Sequence, residues 1–182
     1  MTGARKEAMA RTRESLIDAG LRLAERTGLT GLSINLIVAD AGVAKGTFFH
    51  HFGDRASYLL ALHREFHERL ATQIQAVIAG MPPGRDRLIA VADTYLDGCL
   101  HDRGVRALLL EARAEPAVTD EITRRNQASA ELCRSDFAAL QSPHPYERAQ
   151  LWVGMLAEAA LIEHQAGTAL PALREAVGQF LG

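Results

Sequence analysis

The sequence predicts an all-α protein of about nine helices, and three observations carry that expectation. Apolar residues recur at three- and four-residue spacing through most of the chain, as helices with one buried face require. Breaks rich in glycine and proline divide these runs, at Gly28, Ala41-Gly42-Val43, Met81-Pro82-Pro83-Gly84, Glu115-Pro116 and Ser142-Pro143-His144-Pro145. No stretch alternates apolar and polar residues as a half-buried strand does. With 48% apolar residues, the 182-residue chain has enough to bury a full core, and it contains no repeat or low-complexity segment.

The elements follow in order. Between Thr12 and Thr27, Leu16, Gly20, Leu23 and Ala24 keep helical spacing, with Gly28 as the stop and Leu29 folding back on the last turn. Ser33 is a good N-cap for a second helix. Ala41-Gly42-Val43 reads as a tight turn, in which Gly42 supplies a positive φ and Val43 plugs the angle between helices. The third helix, Lys45 to Phe52, is sorted by face. Phe48 and Phe52 sit one turn apart on one side, Gly46, Thr47, Phe49 and His50 on the other, with Lys45 and His51 flanking.

Asp54 caps a fourth helix whose apolar stripe runs Leu59, Leu62, Phe66, Leu70, Ile74, Val77. Past the proline break, Leu88, Ala92, Tyr95, Leu96 and Cys99 mark a helix from Arg85 to Leu100. Val105 to Ala114 reads as a short apolar helix. Val118, Ile122, Ser129, Cys133, Phe137 and Leu140 mark a long, mostly polar one. Tyr146 to His164 is the most apolar helix, and a last one runs from Pro171 through Phe180.

An inward aromatic pair beneath outward small, cationic and hydrogen-bonding groups suits a helix laid in the major groove of DNA. The Ser33 hydroxyl and nearby helix amides are placed to receive a phosphate. Charge agrees once the chain is split. Residues 1–55 hold eight Lys/Arg against six Asp/Glu, and residues 56–182 hold twelve against sixteen. The first segment is mildly basic, with Arg5, Lys6, Arg11 and Arg13 forming a basic N-terminal arm, and the remainder is acidic.

These residues resemble the DNA-binding segment of the tetracycline-repressor (TetR) family over roughly Arg11 to Leu62. The shared pattern is a Ser/Thr cap, an Ile about four residues on, Ala-Gly-Val, Lys-Gly-Thr, an aromatic pair, His, and Phe before a capped long helix. The resemblance implies a three-helix helix-turn-helix domain, here residues 1–55. It also implies a helical effector-binding and dimerisation domain, residues 56–182. The implied activity is that of a ligand-responsive, sequence-specific DNA-binding regulator, a repressor released from a palindromic operator by a small molecule, and not an enzyme. On this reading Ser33, Asn35, Lys45, Gly46, Thr47, Phe49, His50, His51 and Arg55 meet double-stranded DNA. Several positions depart from the pattern. Phe49 lacks the hydroxyl of a frequent Tyr, His51 replaces an aromatic, and Asn35 and Leu36 stand where basic and polar residues are common. Val38 replaces a usual Ala, and Ala44 is a poor cap in place of Ser, a loss of about 1 kcal/mol.

The effector cavity is expected among the helices between Tyr58 and Ile162, with His63, Phe66, Tyr95, Cys99, Phe137, Trp152 and Met155 as its aromatic, soft and polar lining. The occupant is expected to be modest in size and apolar or amphipathic. The helix from Tyr146 to His164 is apolar almost all round, so more than one side must be covered. A homodimer interface is expected at Leu151, Val153, Gly154, Ala157, Leu161 and Phe180, giving a C2 pair that presents two DNA readers. His63 and His67 lie one turn apart as an H-x-x-x-H pair, but no third ligand accompanies them, so no metal or other cofactor is expected. His67 is expected to face solvent. Cys99 and Cys133 have no metal-ligand spacing and make no disulfide framework. No apolar run approaches the roughly 20 residues that span a bilayer, and no signal-peptide core is present, so a reduced cytoplasmic setting without membrane partners is expected.

Overall fold

The computed structural model describes residues 2–101 and 116–182, all of whose regular elements are helices. They are α1 Thr2–Gly31, α2 Ile34–Asp40, α3 Lys45–Phe52, α4 Arg55–Ile78, α5 Arg85–His101, α6 Pro116–Ala139, α7 Pro145–Ala166 and α8 Pro171–Gln179. The helix expected over Val105 to Ala114 lies outside the described residues. The chain groups into two compact units, divided within α4 between His67 and Glu68.

In the first unit, α1 packs on α2 and α2 on α3. α1 is longer than the sequence pattern implied. It begins at Thr2, so Arg5, Lys6, Arg11 and Arg13 lie on a helix rather than a loose arm. The run Arg5-Lys6-Glu7-Ala8 consists of strong helix formers, which accounts for the extension. At the other end the helix passes Gly28 and stops at Gly31, where the next cap, Ser33, takes over. Ser33 Oγ accepts the Leu36 N–H at 3.3 Å, satisfying one of the orphan donors of α2. Gly42 has φ +67°, the left-handed value the turn requires. Asp40 at the end of α2 is gripped by Arg22 at 2.8 Å and Arg26 at 3.3 Å, which ties α2 to α1. The Arg22 hydrogen bond holds its carboxyl below the usual range.

Three rings make the centre of this unit. Phe48 and Phe52 lie with centroids 5.4 Å apart, and each is 4.9 Å from Tyr58 of α4. Such offset and tilted pairs contribute about 0.5–1.5 kcal/mol beyond the area they bury. The Tyr58 hydroxyl donates to the Leu16 carbonyl at 2.7 Å. That hydroxyl occupies the space a side chain at position 20 would need: a Cβ on Gly20 would lie 2.0 Å from it. Gly20 is therefore the point of close contact between α1 and α4. Asp54 caps α4 by accepting the Ser57 N–H at 2.7 Å.

In the second unit α5 packs on α7 and α7 on α8. Leu88, Ala92, Leu96 and Cys99 form the buried face of α5. Trp152 of α7 is fully buried, with Phe137 edge-on at 6.3 Å and Phe180 stacked at 6.2 Å. Two buried acids anchor the helix ends. Asp136 accepts from Arg87 Nε at 2.6 Å and from the Gly84 N–H at 2.9 Å. Glu163 accepts from Arg174 Nε at 2.8 Å and from the Leu170 N–H at 2.9 Å, closing the α7–α8 turn. The Arg174 bond holds the Glu163 carboxyl below its ordinary range. Among the described residues no helix is long and apolar enough to cross a membrane.

Two expectations for α4 need correction. His67 is buried, not solvent-facing, because its ring packs 4.5 Å from His63 and 4.8 Å from Phe66. The stripe also ends early: Leu59, Leu62, Phe66 and Leu70 are buried, but Val77 is 52% exposed. The α7 helix, apolar all round, buries only one side within this chain, through Ala149, Trp152, Leu156, Ala159 and Ala160.

Candidate nucleic-acid interface and effector cavity

α3 separates its side chains as its sequence periodicity requires. Phe48 and Phe52 are buried, whereas Lys45, Gly46, Phe49 and His50 are exposed, and Thr47 and His51 are half-buried. Phe49, 44% exposed, remains attached to the inner cluster through an edge contact with Phe48 at 5.6 Å. Ser33 and Asn35 are exposed at the start of α2, and Arg55 is half-buried at the start of α4. All nine predicted DNA-contact residues therefore belong to the α2–α3–α4 start of one unit. Arg13 lies over the Phe52 ring at 5.4 Å, so one cation of the expected basic arm braces α3 from the α1 side.

Gly46 is informative by what surrounds it. A Cβ added there would meet nothing within 4 Å, and its backbone is ordinary helix. Glycine within a helix costs about 1 kcal/mol relative to alanine. The chain's own packing gives no reason for that cost, but a surface that must approach backbone closely does. Ala44 offers no side-chain cap to α3. His51 has its pKa lowered, chiefly by burial and then by the neighbouring His50 and Arg13, so at neutral pH it acts as an uncharged imidazole.

The residues expected around an effector divide between the units. His63 and Phe66 are buried in the first unit. In the second, Tyr95 and Trp152 share a cavity of about 80 Å³. Its apolar wall comes from Ile74 of α4, Val91 of α5 and Leu156 of α7. Its polar wall comes from Arg125, Asn126, Ser129 and Cys133 of α6. Cys99 and Phe137 are buried outside that lining, and Met155 is half-buried. Sequence reading missed the Arg125-Asn126 pair, which looked like the solvated side of a polar helix. The available signal was the spacing of Arg125, Ser129 and Cys133, four residues apart along one stripe. Burial and the nearby Asp136 charge push the Cys133 thiol up to about 11, so it is neutral. Both cysteines are free thiols.

A wider cleft of about 460 Å³ lies between α5, α7 and α8, with Trp152, Leu96 and Val177 inside and Arg85, Asp93, Arg174 and Glu175 around it. Arg174 is already bound to Glu163 and, at 2.7 Å, to Asp97. Arg85 donates to the carbonyls of Gly178 and Gly182.

Of the expected interface residues, Leu151 is 64% exposed, Gly154 is exposed, and Val153, Ala157, Leu161 and Phe180 are half-buried. Gly154 resembles Gly46: a Cβ there would meet nothing within 4 Å, although it lies mid-helix.

Comparison with known proteins fits this geometry. The sequence profile described as bacterial regulatory proteins, tetR family, matches residues 16–62, the segment from the Leu16 core position to the Leu62 packing site. The HTH-type transcriptional repressor NemR of Escherichia coli (strain K12) is 29% identical over 109 residues, covering 57% of this chain and 53% of NemR. The chain thus spans about half the length of the relatives it matches in sequence. A transcriptional regulator from Rhodococcus sp. Rha1 shares the fold with a TM-score of 0.78 at 21% identity, over 93% of this chain and 94% of that one. The multidrug binding protein EbrR, complexed with imidazole, does so with a TM-score of 0.73 at 24% identity, over 93% and 94%. By the matched DNA-binding segment and the shared all-helical fold, this chain belongs to the tetR family of bacterial regulatory proteins.

Proposed function

We propose that this protein is a ligand-responsive, sequence-specific DNA-binding regulator, a repressor released from a palindromic operator by a small-molecule effector. The observation that carries the reading is the outer face of α3, where Lys45, Gly46 and His50 are exposed above the buried Phe48–Phe52–Tyr58 cluster. Lys45, Thr47 and His50 meet base edges or adjacent phosphates, and open space at Gly46 lets the duplex come close. Ser33, Asn35, Phe49, His51 and Arg55 contact or clamp the backbone. Relatives support this assignment: NemR is a repressor by name, and EbrR is a multidrug binding protein seen with imidazole.

Residues 1–55 form the DNA-reading part, and residues 56–182 the effector-binding and dimerising part. Dimerisation uses the outer side of α7, where Leu151 and Ile162 are exposed and Gly154 leaves room for a facing helix. A C2 pair then reads two half-sites. Effector in the Tyr95–Trp152 cavity tilts α4, which contributes Ile74 to the cavity and Tyr58 to the DNA-reading unit. A coupling of about 1–3 kcal/mol lowers operator occupancy several-fold or more. A DNA-reading role places the protein in the cytoplasm.

A gel-shift titration with the DNA upstream of its own gene, over a salt series, tests the reading. Tight binding that weakens steeply with salt is expected. Absence of binding at low salt to that DNA and to neighbouring promoters would contradict it.

A further inference from the structure

The two cavities of the second unit meet at the same residue, Trp152, and differ in chemistry. Trp152 is fully buried, and its Nε1–H has no hydrogen-bond partner in the protein. An indole N–H buried in this way costs free energy unless something accepts from it. The wider cleft is poorly suited to supply an anionic acceptor. Asp93 and Glu175 line it, Asp97 stands beside it, and the guanidiniums of Arg85 and Arg174 are already engaged by carbonyls and carboxylates. The small cavity is the reverse. Its lining contains one charged side chain, Arg125, and no carboxylate, and its remaining polar groups are Asn126, Ser129, Tyr95 and the neutral Cys133 thiol. Its volume of about 80 Å³ is several times below the roughly 300–1,000 Å³ of pockets that enclose drug-sized ligands.

We infer that the effector of this protein is a compact carboxylate of a few carbon atoms, accepted by Trp152 Nε1–H and balanced by Arg125, with its alkyl end against Ile74, Val91 and Leu156. The inference rests on the effector reading above and narrows it to a ligand class. A carboxylate supplies the acceptor that the indole lacks and the negative charge that the lining lacks. The short alkyl tail matches the apolar wall opposite α6. A cation of the same size meets an arginine and finds no counter-charge in the lining.

Trp152 is the sole tryptophan of the chain, so its fluorescence reports directly on the cavity. The full-length protein is titrated with butyrate, butyramide and butylamine, which share size and differ in charge, following Trp152 emission and the melting temperature. Butyrate is expected to give a saturable emission change and a rise in melting temperature, with butylamine inert. Arg125→Gln is expected to weaken butyrate at least tenfold while leaving butyramide nearly unchanged. Trp152→Phe, followed by thermal shift, is expected to weaken both. Butylamine binding as well as butyrate, butyrate binding unaltered in Arg125→Gln, or no response to straight-chain acids from acetate to hexanoate would overturn the inference. Butyrate binding without any change in operator affinity would keep the ligand class and refute its role as effector. Operator release by a neutral or cationic compound, without carboxylate binding, would keep the effector reading and refute the class.

Discussion

The DNA-reading unit and the second unit solve opposite problems with the same element type. In the first, one eight-residue helix carries both anchor and working surface, because Phe48 and Phe52 point in while Lys45, Gly46 and His50 point out. In the second, no single helix holds the working surface. Four helices each contribute a few side chains to a cavity around Trp152. Where function is a face of one helix, a run of adjacent residues encodes it. Where function is an enclosed space, it depends on how separate helices pack.

The comparison predicts that damage to the first unit concentrates at its aromatic anchor. Phe48→Ala removes the fully buried ring that touches Phe49, Phe52 and Tyr58, at a cost of about 3–5 kcal/mol. DNA affinity should fall with it, because α3 loses the support of its outer face. Urea unfolding measured alongside a gel shift checks both. An unchanged midpoint would show that the cluster does not anchor α3.

The contact of α1 with α4 is the next most sensitive point. Gly20→Ala places a Cβ on the Tyr58 hydroxyl and close to Leu62 Cδ2, an overpacking that costs about 1–3 kcal/mol. Tyr58→Phe removes the obstructing oxygen but also the bond to the Leu16 carbonyl. The double variant should therefore be less destabilised than the sum of the singles, a coupling readable from a double-mutant cycle. Additive losses would mean that the two groups do not share that space.

In the second unit the sharper test is acid. The Glu163 carboxyl, 1% exposed and bound by Arg174, has a lowered pKa in the folded chain. Its stabilisation is complete above the ordinary carboxylate value of 4.5 and is lost as pH falls through the lower folded value. Melting temperature should drop on acidification below that point, and Glu163→Gln should flatten part of the drop. An identical acid profile in the variant would remove Glu163 from the account. The smallest expected effect is at a cap: Asp54→Ala loses the bond to the Ser57 N–H, at about 1 kcal/mol.

The same contrast explains what could be read in advance. The cap at Ser33, the positive-φ Gly42, the uncapped Ala44, the Asp54 cap and the inward Phe48–Phe52 pair are local events, each set by residues within one or two turns. They were legible for that reason. The ends of α1 were not, because good helix formers carried it back to Thr2 and a glycine that could stop a helix was simply passed. His67 was misplaced because its burial comes from stacking on His63 and Phe66, and ring-on-ring packing does not follow from an apolar stripe. Tyr95 and Trp152 were recognised as cavity residues by size and polarity. Arg125 and Asn126 were missed, since a charged residue on a polar helix looks solvated until another helix is seen to cover it.

The most direct test of the central claim compares the two sides of α3 in one measurement. Lys45→Ala and His50→Ala alter only exposed groups, so each should leave the melting temperature within about 0.5 kcal/mol of the original stability. Operator affinity should nonetheless fall by about 1–3 kcal/mol wherever the side chain reads a base edge. Combined in one chain, the two substitutions are predicted to abolish specific retardation while the protein remains folded. Full operator affinity in that folded double variant would contradict the assignment of the outer face of α3 to DNA.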